Sequence, residues 1–302
     1  MELSENWLKQ TLELLAHRCP AQHRKLLRLL PLRESAYRKE ADHFFNAWFT
    51  RPGAWSLEES LEAYLRLLDE MKDLQADYIR TGRYPNRSFA AVEAGFYKHP
   101  DLMRRHLEAL ALAQFLWIDQ WERFAFFSNW AQALDSQRHL EVGPGHGLYL
   151  EKTIRSLKVS KTRILALDVS PDSLQAAASV AGPRASYISV DFLQWDPQKT
   201  FDSLTLGEVL EHVESPARFL EKAAHCLRPG GSLFISTPLH APMPDHISAY
   251  ANVEALRRLL TAPGFRIRAE HLCAADKLPL ELAFRFLKPV MYCAILKRPS
   301  SP

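Results

Sequence analysis

The stretch His139-Leu140-Glu141-Val142-Gly143-Pro144-Gly145-His146-Gly147-Leu148 joins a short apolar run to the start of a helical pattern through three alternating glycines. Glycines at 143, 145 and 147 let the backbone turn sharply and let a ligand approach it closely. A dinucleotide-binding turn would read GxGxxG, but position 148 is Leu, and the Gly-Lys-Ser/Thr of a phosphate-cradling loop is absent. Glu141 separates the remaining ligand classes. A carboxylate two residues before the first glycine would repel a pyrophosphate seated on the following helix. It favours instead a ligand carrying positive charge, an ammonium or a sulfonium.

Outward from this turn, apolar runs alternate with helical patterns. Strands are predicted over 138–142, 162–169, 185–190, 201–206 and 232–236, with helices over 148–157, 171–180, 216–227 and 253–260. Strands separated by single helices imply βαβ units and a doubly wound, mostly parallel sheet. Two further strands, over 265–272 and 290–296, close the chain and bring the sheet to seven strands. Before residue 136 the grain is different. Leu61, Tyr64, Leu65, Leu68 and Met71 recur at helical spacing behind Ser56-Leu57-Glu58-Glu59, which reads as a capping box. Prolines 20, 31, 52, 85 and 100 punctuate this part, and 101–130 reads as one long buried helix whose Trp and Phe residues belong to the core. The expected organisation is an all-helical domain of five or six helices over 1–135, followed by an α/β domain over 136–302.

Composition narrows the function. Thirty-eight Lys and Arg against 35 Asp and Glu give +3, too balanced for a nucleic-acid binder, and neither half carries a block of one sign. The acidic start Met1-Glu2-Leu3-Ser4-Glu5 lacks the apolar run of a signal peptide, and the most apolar stretch is too short to span a bilayer. Cys19, Cys226, Cys273 and Cys293 lie far apart and read as reduced thiols. These features predict a cytoplasmic protein without membrane or nucleic-acid partners, acting on a small molecule.

The turn resembles the first motif of the class I S-adenosylmethionine-dependent methyltransferases, [D/E]-x-G-x-G-x-G, which Glu141, Gly143, Gly145 and Gly147 match in place. The resemblance runs over about residues 137–272 in family order. It implies that Glu141 and the glycines serve the methionine moiety, and that Asp168, ending the second strand, binds the ribose hydroxyls. It implies further that Asp191 and Phe192, after the third strand, hold the adenine. Asp168 lies about twenty residues past the turn, where a ribose-binding acid is expected. The fourth strand runs into Gly207-Glu208-Val209-Leu210-Glu211-His212, and Glu208 joins the cofactor-binding set. The implied activity is O- or N-methylation of a small acceptor. Helical additions of this kind cover the cofactor, build the acceptor pocket or mediate dimerisation, so a homodimer is allowed for. Trp48, Trp55, Tyr78, Tyr84, Phe89, Phe96 and Tyr97 are candidates for an apolar lid.

Residues past the fourth and fifth strands, Glu208, His212, His240, His246 and Tyr250, are expected on the acceptor side, with His212 or His246 as general base. Glu208, Glu211 and His212, read as one helical face, together with His246 form a candidate divalent-ion set. It is similar to the metal site of small-RNA 2′-O-methyltransferases and of ubiquinone-pathway O-methyltransferases. The alternative is that the His packs locally without metal. His146 reads as a solvent-facing filler, and His17, His23, His43, His99, His106, His225 and His271 as structural residues without partners. Two other functions stay open. One is cyclisation of S-adenosylmethionine to azetidine-2-carboxylate and methylthioadenosine on the same fold, in a dry aromatic pocket that destabilises the ammonium. The other is non-catalytic S-adenosylmethionine binding.

Overall fold

A computed structural model describes residues 6–157 and 161–300; the acidic start on which the signal-peptide reading rests lies outside them. Seven α-helices precede the sheet among the described residues, with a π-helical turn (Glu93–Tyr97) after the fifth: α1 (Trp7–Arg18), α2 (Pro20–Leu29), α3 (Ser35–Phe49), α4 (Leu57–Thr81), the single turn α5 (Phe89–Val92), α6 (Pro100–Leu116) and α7 (Ile118–Gln132). Local chemistry sets their ends. Pro20 and Pro100 sit in first turns, where a missing N–H costs nothing. The capping box is present: Ser56 accepts from the Glu59 amide while the Glu59 carboxylate accepts from Ser56. The single helix expected over 101–130 is instead two. Trp117 has extended backbone (φ −108°, ψ 124°) and turns the chain between α6 and α7. Both helices are buried on most faces and no Gly or Pro marks the corner, so periodicity ran through it.

Beyond α7 the elements are β1 (Arg138–Val142), α8 (Leu148–Ser156), β2 (Arg163–Asp168), α9 (Pro171–Ala181), β3 (Ala185–Ser189), β4 (Phe201–Gly207), α10 (Pro216–Cys226), β5 (Leu227–Leu239), α11 (Val253–Thr261), β6 (Arg266–Ala274), α12 (Leu280–Arg285) and β7 (Val290–Lys297). They form a seven-stranded sheet of order β3-β2-β1-β4-β5-β7-β6. Only β7 is antiparallel, paired with both β5 and β6. The fold is the doubly wound methyltransferase type, with a helical N-terminal region. The strand order reverses between β1 and β4, and open α/β sheets bind ligands at the carboxyl ends of strands at such a point. Strand β5 starts earlier than expected, because Leu227 already pairs with Phe201 ahead of a bulge.

Two cores cover the sheet. On one face, Phe44, Trp48, Phe115, Phe124 and Phe127 from the helices pack in one continuous cluster with Leu150, Phe234 and Cys293. That core draws residues from both sides of residue 135. On the other face Leu140, Leu206, Leu220, Leu256 and Tyr292 form the second cluster. No described helix is long and apolar enough to cross a membrane, and the four cysteines form no disulfide.

Candidate active site

The glycine turn leaves β1 with Gly143 at φ 70° and enters α8 with Gly147 at φ 84°, left-handed values that disfavour any side chain. Space is also exhausted there. A Cβ at 143 would lie 2.8 Å from Val209 Cγ2, and one at 147 would lie 2.8 Å from the Ala177 backbone. Gly143 and Gly145 line a cavity of about 1350 Å³ together with Asp168, Asp191, Phe192 and Glu208. Asp168 accepts from the Ser170 amide at 2.9 Å, and burial pushes its pKa up to about 6 against the amides of Ser170, Val169 and Gly145. Asp191 is exposed at the rim and accepts from the Leu193 amide at 2.9 Å. Phe192 is buried against Phe219, with ring centroids 4.9 Å apart. It therefore reaches the cavity as part of the wall rather than as a free stacking face.

Two residues of the turn sit behind the cavity wall, and one expectation, a solvent-facing His146, needs correction. Glu141 does not line the cavity. It is 1% exposed beneath the turn and accepts a backbone hydrogen bond from Leu150, and burial pushes its pKa well above the ordinary carboxylate value. Strand alternation points it under α8. Gly147 likewise caps α8 behind the wall. His146 is no solvent-facing filler. Its ring packs edge-on against Phe44 and Trp48 of the helical region, and burial lowers its pKa to about 3.

A further part of the wall is built where β4 and β5 end. Glu208 takes a left-handed conformation (φ 57°), and only a single 3₁₀ turn follows, Leu210–His212. Glu208, Glu211 and His212 therefore do not share a helical face. Glu208 turns to α7 and pairs with Arg123 at 2.7 Å. Glu211 and His212 meet His246 instead, because the chain after β5 folds back. The amides of Ile247 and Ser248 donate to the Glu211 carbonyl at 2.8 and 2.9 Å. One donor atom from each of Glu211, His212 and His246 lies within 4.8 Å of the other two. The Nδ1 of His246 donates to the Ala241 carbonyl at 2.7 Å, which leaves Nε2 as an acceptor. The Nδ1 of His212 faces Asp245, 3.3 Å from its carboxylate and 3.2 Å from its carbonyl.

Electrostatics differentiates these groups. Burial alone would lower the His212 pKa, but Asp245 and Glu211 outweigh it and raise the pKa. Burial would raise Asp245, yet His212, His106 and His246 pull it down to about 2. Burial, then His212, lowers His246 to about 3, so it is neutral. Burial and the neighbouring Glu208 push Glu211 up to about 8. One Glu211 oxygen accepts from Thr237 at 2.8 Å, and the other is buried without a hydrogen-bond partner among the described residues.

Several participants escaped sequence reasoning. Asp245 adjoins His246, but only the fold shows it against His212. Tyr97 sends its hydroxyl to within 3.3 Å of His212 and 3.4 Å of Asp245. His106, read as unpartnered, lies 3.7 Å from Asp245 on the cavity wall. His43 and His271 also have partners, Glu151 at 2.7 Å and Glu122 at 3.6 Å. His240 and Tyr250 fall behind the wall, His240 bonded to Tyr78 and Tyr250 donating to the Leu210 carbonyl. Of the lid candidates, Phe89 and Tyr97 line the cavity, and Tyr84 accepts from the Ala241 amide at 3.0 Å. Trp48 is core, donating to Glu108 at 2.7 Å, and Trp55 packs against Arg104 away from the cavity.

A glycine turn, acidic strand ends and a deep cavity at the switch point of this sheet define a Rossmann-like transferase. Residues 103–285, more than half the chain, match the methyltransferase domain family. The chain belongs to that family. It is similar to the ubiquinone biosynthesis O-methyltransferase of Xylella fastidiosa strain 9a5c, 31% identical over 132 residues, covering 42% of this chain and 52% of that one. The corresponding protein of Xanthomonas euvesicatoria pv. vesicatoria is 33% identical over 132 residues, covering 42% and 53%. The chain thus spans about half the length of the curated relatives it matches. An O-methyltransferase family protein from Burkholderia thailandensis superposes with a TM-score of 0.52 at 15% identity, over 81% of this chain and 72% of that one, and shares the fold.

Proposed function

We propose that the protein transfers the methyl group of S-adenosylmethionine to a hydroxyl of a small-molecule acceptor. The observation that carries this reading is the His212–Asp245 pair, which lines the same cavity as the glycine turn, with the basicity of His212 raised. When bound, S-adenosylmethionine supplies an electrophilic methyl on a sulfonium, so the protein's work is positioning, exclusion of water and removal of one proton. Asp168 suits a ribose diol, having cavity exposure and a neighbouring amide to hold it. Asp191 at the rim suits the adenine amino group. Arg123, 2% exposed yet on the cavity wall, is the side chain suited to the methionine carboxylate, a group to which the sequence reading assigned no residue. His212 takes the acceptor proton at Nε2 while Asp245 orients the ring and stabilises the imidazolium. Neutral His246 offers Nε2 to the acceptor, and Tyr97 closes the pocket over the pair.

Glu211, His212 and His246 are also a donor set for a divalent ion. The unpartnered buried oxygen of Glu211 and the anchored Nδ1 atoms fit that role. Such an ion, when bound, acidifies a coordinated hydroxyl. Metal analysis of the purified protein decides whether one is held.

Cyclisation of S-adenosylmethionine is the second reading, and one observation favours it. Glu141 lies off the cavity, so no carboxylate on the wall there holds the substrate amine as ammonium. The free amine would form a bond to the γ-carbon as the carbon–sulfur pair leaves with methylthioadenosine. Incubation with and without a panel of hydroxyl acceptors separates the readings. S-adenosylhomocysteine and a methylated acceptor are expected. Methylthioadenosine formed at an enzyme-dependent rate without acceptor would establish the cyclase instead. Binding of S-adenosylmethionine with neither product would leave the non-catalytic reading.

A further inference from the structure

We propose that Glu122 of α7, with His271 and Cys273 of β6, binds a divalent transition metal of the zinc class, outside the cavity and apart from the methyl-transfer site. His271 and Cys273 are two residues apart on one strand, so their side chains leave the same face of the sheet. That face is the one α7 packs across, and α7 supplies Glu122. One donor atom from each of the three lies within 4.8 Å of the other two. None of the three residues lines the cavity.

Geometry favours coordination over a plain ion pair. The Nε2 of His271 faces the Glu122 carboxylate at 3.6 Å, too far for a hydrogen bond. That nitrogen is buried and has no hydrogen-bond partner among the described residues. Buried polar atoms are normally paired, so an orphaned ring nitrogen beside a carboxylate and a thiol needs a reason. Two ligands of one tetrahedral Zn²⁺ lie about 3.3–3.8 Å apart, given metal–ligand distances of about 2.0–2.3 Å. The Glu122–His271 separation already has that length. The His271 ring stacks on Phe126, with centroids 5.7 Å apart and planes at 21°, which holds Nε2 in place. Cys273 is buried, and its S–H donates to the Asp119 carbonyl at 3.5 Å, one turn of α7 before Glu122.

The donor set selects the ion. Mg²⁺ and Ca²⁺ take oxygen ligands, whereas sulfur, nitrogen and oxygen together suit Zn²⁺. On binding, the metal–sulfur bond forms as the Cys273 thiol releases its proton to solvent. Thiolate and carboxylate then balance the two positive charges of the ion, which leaves a partly buried site neutral. The side chains of Glu122 and His271 are 35% and 36% exposed, so the ion has an entry path and a water completes the fourth position. The ion ties α7 to β6, the strand at the edge of the sheet. Arg123, next to Glu122, holds Glu208 in the cavity wall, so the clasp steadies that wall as well.

The test treats the full chain with a chelator, removes the chelator and titrates with Co²⁺, then with Zn²⁺ in competition. Co²⁺ at this site should give the visible bands of a tetrahedral ion and a thiolate-to-metal charge-transfer band. The Glu211, His212 and His246 set has no sulfur, so it cannot give the second band. Cys273→Ser should abolish that band. His271→Ala and Glu122→Gln should each weaken Zn²⁺ binding by more than about a hundredfold, beyond the roughly 10–100-fold lost with partners outside the ligand set. An unchanged circular-dichroism spectrum and a cooperative melt show each variant to be folded. A charge-transfer band that survives in folded Cys273→Ser would place the ion on another cysteine and overturn the site. So would a natural protein that binds no Co²⁺ or binds it without the band, or Zn²⁺ affinity unchanged in folded His271→Ala and Glu122→Gln.

Discussion

Arg123 of α7 and Glu208, the residue after β4, form an ion pair at 2.7 Å that ties the helical region to the switch point of the sheet. Arg123 is almost fully buried and also reaches Gln114 and Gln120. Burial would lower its pKa, but Glu208 outweighs it, so the guanidinium keeps its charge in the cavity wall. Arg123→Met leaves Glu208 unpaired. Thermal or denaturant unfolding should show a loss of about 1–3 kcal/mol, between exposed and buried pairs. Calorimetry should show cofactor affinity reduced more than tenfold, since a charge-assisted carboxylate contact is lost. Unchanged affinity would separate Arg123 from the methionine carboxylate.

Asp168→Asn keeps the shape of the β2 end but loses one of two strong acceptors for a diol. Affinity for S-adenosylhomocysteine should fall ten- to a hundredfold, on the order of 1.5–3 kcal/mol. Asp191→Ala should weaken binding less, because Asp191 is exposed.

His212→Ala should reduce kcat by about 10²–10⁴ with little change in cofactor affinity. Asp245→Asn removes the charge that raises the His212 pKa. The acid limb of the pH–rate profile should therefore move to lower pH, with a lower plateau. An unmoved limb would mean that His212 is not the titrating base.

Glu211 has a folded pKa of about 8, above the ordinary carboxyl value, because burial and Glu208 oppose its charge. The stability gained from its neutral form is full below the unfolded pKa and is lost as pH rises through about 8. Glu211→Gln should match the natural protein in melting temperature near pH 5 and exceed it near pH 9. If Glu211, His212 and His246 hold a divalent ion, added Mg²⁺ or Mn²⁺ should raise the melting temperature of the natural protein at pH 8 and not that of Glu211→Gln.

Gly147→Ala forces a Cβ onto the Ala177 backbone at 2.8 Å and a left-handed φ onto alanine. A stability loss of about 2–4 kcal/mol is expected from strain and overpacking together. Gly143→Ala should cost less, because the contacting atom there is the Val209 side chain, which can rotate away.

Features confined to one short stretch were legible in the sequence. The turn from Glu141 to Gly147, Asp168 and Asp191 at successive strand ends, and the capping box at Ser56 each depend on residues a few positions apart. Alternation and helical spacing encode the backbone directly there. The methyltransferase fold followed from the order of these stretches. What the sequence left open depended on packing between distant segments. Glu141 lies one residue before the end of β1 and Glu208 one residue after β4, yet the pleat sends one under α8 and a left-handed turn sends the other to Arg123. The chain corner at Trp117 carries no Gly or Pro, because burial on both sides stabilises it rather than local propensity. Tyr97, His106, His212 and Asp245 are separated by up to 148 positions and meet only because the chain after β5 folds back. His271 and Cys273 read in one dimension as a structural histidine and a reduced thiol. Only the packing of α7 on β6 sets Glu122 against them, since spacing along an element states which residues share a side and not what lies opposite.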